Sequence, residues 1–213
     1  DGVVRTVAEA LNLAPIVVSS PGEQTAWEDQ SFIHVVPEQA FGDPEGGMLT
    51  YTAELANGHA LPGWLAFDPS TRTFSGIPEN VDVGTLDVVV RAVDPLGAVA
   101  EGSIHFVANN TNDAPEAVSS MPNRQLSEDE AFSFALQEDA FRDVDVGDAL
   151  TYSGRLSDGS ALPEWLSFDA QTRTFSGTPG NEQVGTHSIT VAATDMSGAT
   201  ATQSFVIDVA NVN

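Results

Sequence analysis

The sequence predicts an all-β protein that consists of two tandem β-sandwiches, of seven or so strands each, joined end to end. The chain repeats itself: residues 61–68 read LPGWLAFD and residues 162–169 read LPEWLSFD. Apolar residues mostly alternate with a period of two, and helical periodicity is nearly absent. Turn residues divide the chain into short runs roughly 8–12 residues apart, which is typical of an immunoglobulin-like sandwich.

The repeat sets the domain organisation. Its two copies are offset by roughly 100 residues, which suits a complete small domain and is too long for a solenoid unit. We therefore expect a first repeat at residues 14–112 and a second at residues 113–213. Residues 1–13 are expected to be the end of a preceding repeat or a tail, so the two repeats would belong to a longer array.

The individual strands follow from the alternation. The run from Leu86 to Ala92 places an apolar residue at every even position, and the run from Phe205 to Val209 does so at every odd position. Each such run predicts a strand with one face in the core. The runs end at turn-forming residues, which are Asn57-Gly58, Pro95-Leu96-Gly97, Asp158-Gly159 and Ser197-Gly198.

Composition excludes several function classes. Lys and Arg total 7 against 31 Asp and Glu, for a net charge of −24. Such a surface repels nucleic-acid phosphates and anionic lipids, so neither nucleic-acid binding nor membrane attachment is expected. No stretch approaches ~18 consecutive apolar residues, and membrane insertion is not expected either. The absence of cysteine excludes disulfides and thiol chemistry.

Aromatic residues and histidines favour core roles over a site. Trp64 and Trp165 lie in the LPxWLxFD motif, whose apolar neighbours predict burial. Trp27 has no counterpart in the second repeat and is the better candidate for an exposed aromatic, although the sequence favours a local packing role for it. His34 takes the place of Phe134, so we expect a partly buried, hydrogen-bonded side chain. The chain has no GxSxG motif and predicts little cleft for opposed carboxylates, so it is not expected to be an enzyme.

Acidic and amide residues collect at the ends of the predicted sandwiches. The run DVDVGD at residues 143–148 fits a loop at the top of the second repeat, beside Asp195 and the entering linker. The turns at Glu28-Asp29 and Asn80 fit the bottom of the first repeat. In an end-to-end arrangement, eight residues would therefore meet at the junction: Glu28, Asp29, Asn80, Asn112, Asp113, Asp143, Asp145 and Asp195.

These side chains supply the oxygen ligands that Ca²⁺ takes, usually about 6–8 of them. Without a cation, each close pair of carboxylates would repel by roughly 1–4 kcal/mol at the dielectric of a protein surface. Calcium is therefore the predicted cofactor. The alternative is a solvated acidic linker with ordinary Asx turns.

The repeated motifs also support a family resemblance. Besides LPxWLxFD, these are TRTFSGxP, the pair VGT at 83–85 and 184–186, the pair AxD at 92–94 and 193–195, and NDAP at 112–115. With them the chain resembles tandem cadherin-like repeats of the dystroglycan type, which are found in large bacterial surface and secreted proteins. The resemblance implies calcium at the linkers between repeats and selects the same eight residues.

The resemblance predicts a calcium-stiffened extracellular module of a bacterial multi-repeat adhesin or secreted protein, whose partners are calcium and the neighbouring repeats. The alternative is a calcium-dependent module that binds polysaccharide or another copy of itself, for which Trp27, Tyr51 and Tyr152 are the candidate aromatics. The first repeat departs from the pattern at its top, where Leu13 replaces Asp113 and Glu45 replaces Asp145. Asp43, Glu45 and Asp94 are therefore expected to bind calcium weakly or not at all.

Overall fold

The computed structural model of the chain describes residues 12–212. It divides into two compact units, the first ending at Thr111 and the second beginning at Asn112. Each unit is a sandwich of β-strands, and the predicted all-β fold with two repeated domains is confirmed. The only helices in residues 12–212 are three short 3-10 turns, at Glu38–Ala40, Asn80–Asp82 and Asn181–Gln183.

Within residues 12–111, the first unit has nine strands in two main sheets and one short pair. The strands are β1 (Ile16–Val17), β2 (Gly22–Trp27), β3 (Phe32–Val35), β4 (Phe41–Gly42), β5 (Thr50–Leu55), β6 (Leu65–Asp68), β7 (Thr73–Gly76), β8 (Gly84–Val93) and β9 (Val99–Asn109). One sheet has the order β2-β9-β8-β5 and the other β3-β7-β6, while β1 pairs with β4. Strand β2 runs parallel to β9, and the other pairs are antiparallel.

The second unit repeats this topology. Its strands are β10 (Glu116–Ala117), β11 (Arg124–Ser127), β12 (Phe132–Ala135), β13 (Phe141–Arg142), β14 (Thr151–Leu156), β15 (Leu166–Asp169), β16 (Thr174–Gly177), β17 (Gly185–Thr194) and β18 (Thr200–Ala210). The sheets have the orders β11-β18-β17-β14 and β12-β16-β15, and β10 pairs with β13. The parallel pair is again the second strand with the last, β11 with β18.

Each core lies between the two main sheets and is built from the alternating residues of the long strands. In β8, Val88, Val90 and Ala92 are buried, and in β18 Phe205, Ile207 and Val209 are buried. The alternation predicted from the sequence therefore gives the correct inward face. Fully buried phenylalanine rings, Phe74 in the first unit and Phe175 in the second, are surrounded by other aromatic rings in edge-to-face and tilted contacts.

Candidate metal centre

The loop after β13 brings two carboxylates to a third one on the turn between β17 and β18. Oxygens of Asp143, Asp148 and Asp195 all lie within 4.8 Å of one another. Gly147 has φ 97°, in the left-handed region, and this turn returns the chain so that Asp148 faces Asp143. The second unit thus collects three carboxylates at one end of its sandwich.

Several oxygens of this loop are buried without a hydrogen-bond donor. These are Oδ2 of Asp143, Oδ1 of Asp145 and Oδ2 of Asp148. Asp145 is only 6% exposed, so water has little access to its side chain. Buried carboxylate oxygens without a donor are costly, because their charge has been removed from water without compensation. A cation in contact with these oxygens would supply that compensation.

The other oxygens of the loop are positioned by main-chain donors. Oδ1 of Asp143 accepts a hydrogen bond from the N–H of Asp145 at 3.0 Å. Oδ2 of Asp145 accepts one from the N–H of Asp113 at 2.9 Å. Each carboxylate is therefore held by one oxygen while the other oxygen stays available.

Asp195 is held more completely than the others. Its Oδ1 accepts hydrogen bonds from the N–H groups of Ser197 and Ala199, and its Oδ2 accepts one from the amide Nδ2 of Asn112 at 3.0 Å. The Asn112 hydrogen bond, followed by main-chain N–H groups of the turn, lowers the pKa of Asp195 although burial opposes this. The side chain, only 4% exposed, is thus favoured in its ionised form.

The first unit places its predicted residues at the end where β2 and β9 finish. Glu28 is fully buried, and its Oε1 accepts a hydrogen bond from the N–H of Thr111 at 2.7 Å. Asp29 follows with φ 58° and donates its main-chain N–H to the carbonyl of Pro78. Asn80, half-buried, begins the adjacent 3-10 turn. Glu28, Asp29 and Asn80 therefore belong to one end of this unit.

The corresponding end of the second unit has the same construction. Glu128 is buried, and its carboxylate accepts hydrogen bonds from the N–H of Val212 and from Nδ2 of Asn181, both at 2.9 Å. A buried glutamate that holds the outgoing chain is thus a feature of both repeats. It is the same feature that the repeated Glu-Asp pair indicates in the sequence.

The opposite end of the first unit lacks the third carboxylate. Within residues 12–111, no three acidic side chains come as close as those of Asp143, Asp148 and Asp195. Asp94 matches Asp195, because its carboxylate accepts from the N–H groups of Leu96 and Ala98 and from Nδ2 of Asn12.

Gly47 takes the place of Asp148 in the first repeat, because it lies three residues before Thr50 as Asp148 lies three residues before Thr151. A Cβ there would lie 2.8 Å from Oδ2 of Asp43, so this loop is closed around a glycine.

The structure therefore groups the eight predicted residues by unit. Asn112, Asp113, Asp143, Asp145 and Asp195 lie together at the head of the second unit, while Glu28, Asp29 and Asn80 lie at one end of the first. Sequence reasoning left out Asp148. Its signal was the acidic residue that closes the DVDVGD run, and only the turn at Gly147 shows that it faces the other two.

The donor set fits a hard divalent cation. It consists of carboxylate and amide oxygens, and Ca²⁺ takes such ligands at 2.3–2.6 Å in flexible geometry, whereas Mg²⁺ usually keeps several waters. Three ionised carboxylates within 4.8 Å repel one another by about 1–3 kcal/mol per pair in the absence of a cation. The head of the second unit thus carries the kind of oxygen ligands that a hard divalent cation takes.

The aromatic candidates for a binding surface divide into two groups. Trp27 is 47% exposed. Tyr51 instead packs against Phe41 beneath the guanidinium of Arg72, and Tyr152 packs in the same way against Phe141 beneath Arg173. Trp64 and Trp165 pack against the cores, as predicted. No flat array of aromatic rings therefore occurs on the surface of residues 12–212.

His34 is half-buried as predicted, but the expected hydrogen bond is missing at Nε2. Burial lowers the pKa of this imidazole, so the neutral form is favoured.

Helices long and apolar enough to span a membrane are not found in residues 12–212.

Comparison with known proteins identifies both repeats. A family model described as a putative Ig domain matches residues 14–109 and, a second time, residues 114–210. A serine-rich adhesin for platelets from Staphylococcus aureus is 28% identical over 149 residues, which is 70% of this chain and 6% of the adhesin. The chain thus spans only a small part of that relative.

Among solved structures, human mucin-like protocadherin EC1-2 is similar with a TM-score of 0.62 at 16% identity, covering 93% of this chain and 98% of that one. Mouse clustered PcdhgC3 EC1-3 is similar with a TM-score of 0.60 at 15% identity, covering 92% of this chain and 68% of that one. These likenesses establish a cadherin-like fold for the chain.

Proposed function

The chain belongs to the family of putative Ig domains, and from that premise we propose that it is a calcium-stiffened repeat module of a bacterial cell-surface adhesin or secreted protein. In this role the two units extend and stiffen a longer array, and their partners are calcium and the neighbouring repeats. The array itself, rather than a catalytic site, is the functional element.

The observation that carries the proposal is the group of Asp143, Asp148 and Asp195. Three carboxylates lie within 4.8 Å, and buried oxygens of Asp143 and Asp148 have no hydrogen-bond donor. An arrangement that is unfavourable alone and favourable with a cation is expected of a metal site. A purely solvated acidic linker would leave its carboxylates exposed and apart.

The ligands are proposed to come from both repeats. In the second unit, Asp143, Asp148 and Asp195 would hold the ion, with Asp145 and Asp113 on the same loop and linker. From the first unit we propose Glu28, Asp29 and Asn80 as additional ligands. Thr111 donates its main-chain N–H to Glu28, and Asn112 donates its side-chain amide to Asp195. Each of these two residues at the boundary is thus hydrogen-bonded to a carboxylate of its own unit.

Calcium bound in this way would couple the two repeats through the linker. The ion would replace repulsion between carboxylates by attraction, and it would restrict the linker to the conformation that satisfies its coordination. An ion present at 100 times its dissociation constant would add about 2.7 kcal/mol to the free energy of unfolding. That gain is a sizeable fraction of the usual stability of a domain, which is about 5–15 kcal/mol.

Similarity to the platelet adhesin supports the cell-surface setting. The adhesin is named for attachment to platelets, and the chain matches 149 residues of it. We extend to this chain the extracellular location and the repeat role, and not the platelet ligand. The strongly acidic surface, with a net charge of −24, suits a module that stays soluble in a salty medium.

The alternative, a module that binds polysaccharide or another copy of itself in the presence of calcium, has less support. Stacking on sugar rings requires exposed aromatic faces, and Tyr51 and Tyr152 are packed against phenylalanines and arginines. Trp27 alone remains as an exposed aromatic among the candidates. A glycan array with the wild-type chain and Trp27→Ala distinguishes this alternative from the extender role.

Calorimetric titration with CaCl₂ tests the proposal directly. The wild-type chain is compared with Asp143→Ala/Asp145→Ala, and the matched control is Asp43→Ala/Glu45→Ala at the corresponding loop of the first unit. Calcium should bind the wild type and the control, and binding should be lost or at least tenfold weaker in the first variant. Equal binding by all three chains, or none by the wild type in the millimolar range, would refute the proposal.

Stiffening needs a separate measurement. Small-angle scattering with calcium and with EDTA should show a larger maximum dimension and a narrower distribution of sizes with calcium. Calcium binding without any change in the scattering profile would retain the metal site and remove the stiffening role.

A further inference from the structure

Strand β3 of the first unit lies at an open edge of its sheet. The sheet order is β3-β7-β6, and among the described residues β3 pairs only with β7. Val36, next along the chain, donates its N–H to the carbonyl of Arg72 on the β7 side. In an antiparallel strand the main-chain N–H and C=O groups of successive residues face opposite edges. Because those of Val36 face β7, those of Ile33 and Val35 face the open edge.

The side chains of the same two residues form an exposed apolar row. Ile33 is 71% exposed and Val35 51%, and both lie on the outer face of the sheet, opposite the buried Phe32. In the second unit the same positions carry Ser133 and Ala135. The backbone edge is therefore common to both repeats, while the apolar row belongs to the first repeat alone.

Apart from its short length, this strand lacks the usual protection against edge pairing. Natural edge strands carry lysine, proline, a bulge or an inward-pointing charge. The sequence contains no lysine, and β3 itself reads FIHV, with no charged or proline residue. Pro37 and the 3-10 turn Glu38–Ala40 limit the open edge to the four residues of β3.

The charges around the strand select the partner. Asp29 precedes β3, Glu38 follows it, and Asp68 lies in the row of Val35, two strands away through Thr73. Antiparallel pairing of β3 with a second copy, centred on His34, would bring the acidic flank of one copy opposite the acidic flank of the other. Like charges placed across strands are destabilising, so a second copy is disfavoured and a basic partner is favoured.

We propose that the edge of β3 binds an extended segment of a partner protein by β-strand addition. The segment has alternating apolar residues and is flanked by lysine or arginine. Its main chain pairs with the N–H and C=O groups of Ile33 and Val35, its apolar residues contact their side chains, and its basic flanks face the acidic flanks of β3. This role goes beyond the proposed extender function, and its test is run in EDTA because Asp29 is also a proposed calcium ligand.

The probe is a synthetic nonapeptide of alternating valine and threonine with two lysines at each end, added to the isotope-labelled chain in 150 mM NaCl. Chemical-shift changes centred on the amides of Ile33 and Val35 measure binding. A control peptide of the same composition, N-methylated at the alternate residues of one edge, keeps the charge and cannot form the ladder. The expected result is binding of the first peptide and at least tenfold weaker binding of the second.

Two variants test the side chains in a matched way. Ile33→Ser/Val35→Ala gives the first unit the residues that the second unit carries, so its fold is expected to persist. It should weaken binding at least tenfold. Ser133→Ile/Ala135→Val should create a second binding edge, seen as shifts at the amides of residues 133 and 135.

Three outcomes would overturn the proposal: no binding at millimolar peptide, equal binding of the N-methylated peptide, or affinity unchanged in Ile33→Ser/Val35→Ala. Sedimentation of the chain alone tests the other possible occupant of the edge, which is a second copy of the chain. Dimers that disappear in Ile33→Ser/Val35→Ala, without binding of the peptide, would assign the edge to a second copy and refute the basic partner.

Discussion

Asp148→Asn should stabilise the second unit in EDTA and lose that advantage when calcium is present. In EDTA, Asp148 contributes two of the three repulsive pairs among Asp143, Asp148 and Asp195, whose oxygens lie within 4.8 Å. Each pair is worth about 1 kcal/mol at the dielectric of water and about 3 kcal/mol at an effective dielectric near 20. The substitution should therefore raise the free energy of unfolding in EDTA by about 2 kcal/mol, the lower limit for two pairs.

With calcium this advantage should disappear. If the loss of one charged ligand weakens calcium binding about 100-fold, a concentration that gives the wild type about 2.7 kcal/mol gives the variant only about 0.4 kcal/mol. The variant thus gains about 2.3 kcal/mol less from calcium than the wild type does, which offsets its advantage in EDTA.

Urea unfolding followed by tryptophan fluorescence measures both conditions. Trp165 is the only tryptophan of the second unit, so comparison with Trp165→Phe identifies the transition of that unit. Glu164→Gln is the control, because it removes one exposed negative charge from the same unit outside the cluster. A variant that is no more stable than the wild type in EDTA would refute the repulsion argument. An equal gain from calcium in both chains would remove Asp148 from the ligands.

Three further perturbations test other parts of the structure. His34→Phe, which copies Phe134, should stabilise the first unit by about 1 kcal/mol, because Nε2 is buried without a donor or acceptor. Burial lowers the pKa of His34, so the free energy of unfolding of the wild type should fall as pH drops below about 6.5. The difference in stability between His34→Phe and the wild type should therefore be larger at pH 5 than at pH 7.5 in urea unfolding. Gly76→Ala should destabilise the first unit by about 3 kcal/mol or more, because the added Cβ would collide with the main-chain oxygen of Trp64. The control Gly63→Ala has nothing near its Cβ, so its free energy of unfolding should lie within about 1 kcal/mol of that of the wild type. Gly47→Asp should lower the melting temperature of the first unit in EDTA through crowding and repulsion at Asp43, and calcium should restore it; no recovery in calcium would count against a third carboxylate as the missing ligand.

Local sequence patterns determined the architecture of each repeat. Period-two alternation identified the inward faces of β8 and β18, because successive side chains of a strand point to opposite sides. The repeated LPxWLxFD motif placed Trp64 and Trp165 against the cores, because large apolar neighbours favour burial, and both side chains are partly buried there. The acidic loop and the AxD turn were also visible as motifs, because Asp and Gly residues have strong local turn preferences.

The tertiary structure decided which of these groups meet. Asp148 faces Asp195 across more than forty residues of sequence, and Gly47 closes the equivalent loop of the first unit; neither fact follows from a local pattern. Among the described residues no strand pairs with the outer edge of β3, because the preceding strand β2 pairs in parallel with β9, about eighty residues further along the chain. Alternation specifies the face that a side chain takes, but the partner of a strand depends on contacts between distant residues. The sequence alone therefore determined two β-sandwiches and the acidic residues at their ends, and only the tertiary structure decided which carboxylates share a site and which edge stays unpaired.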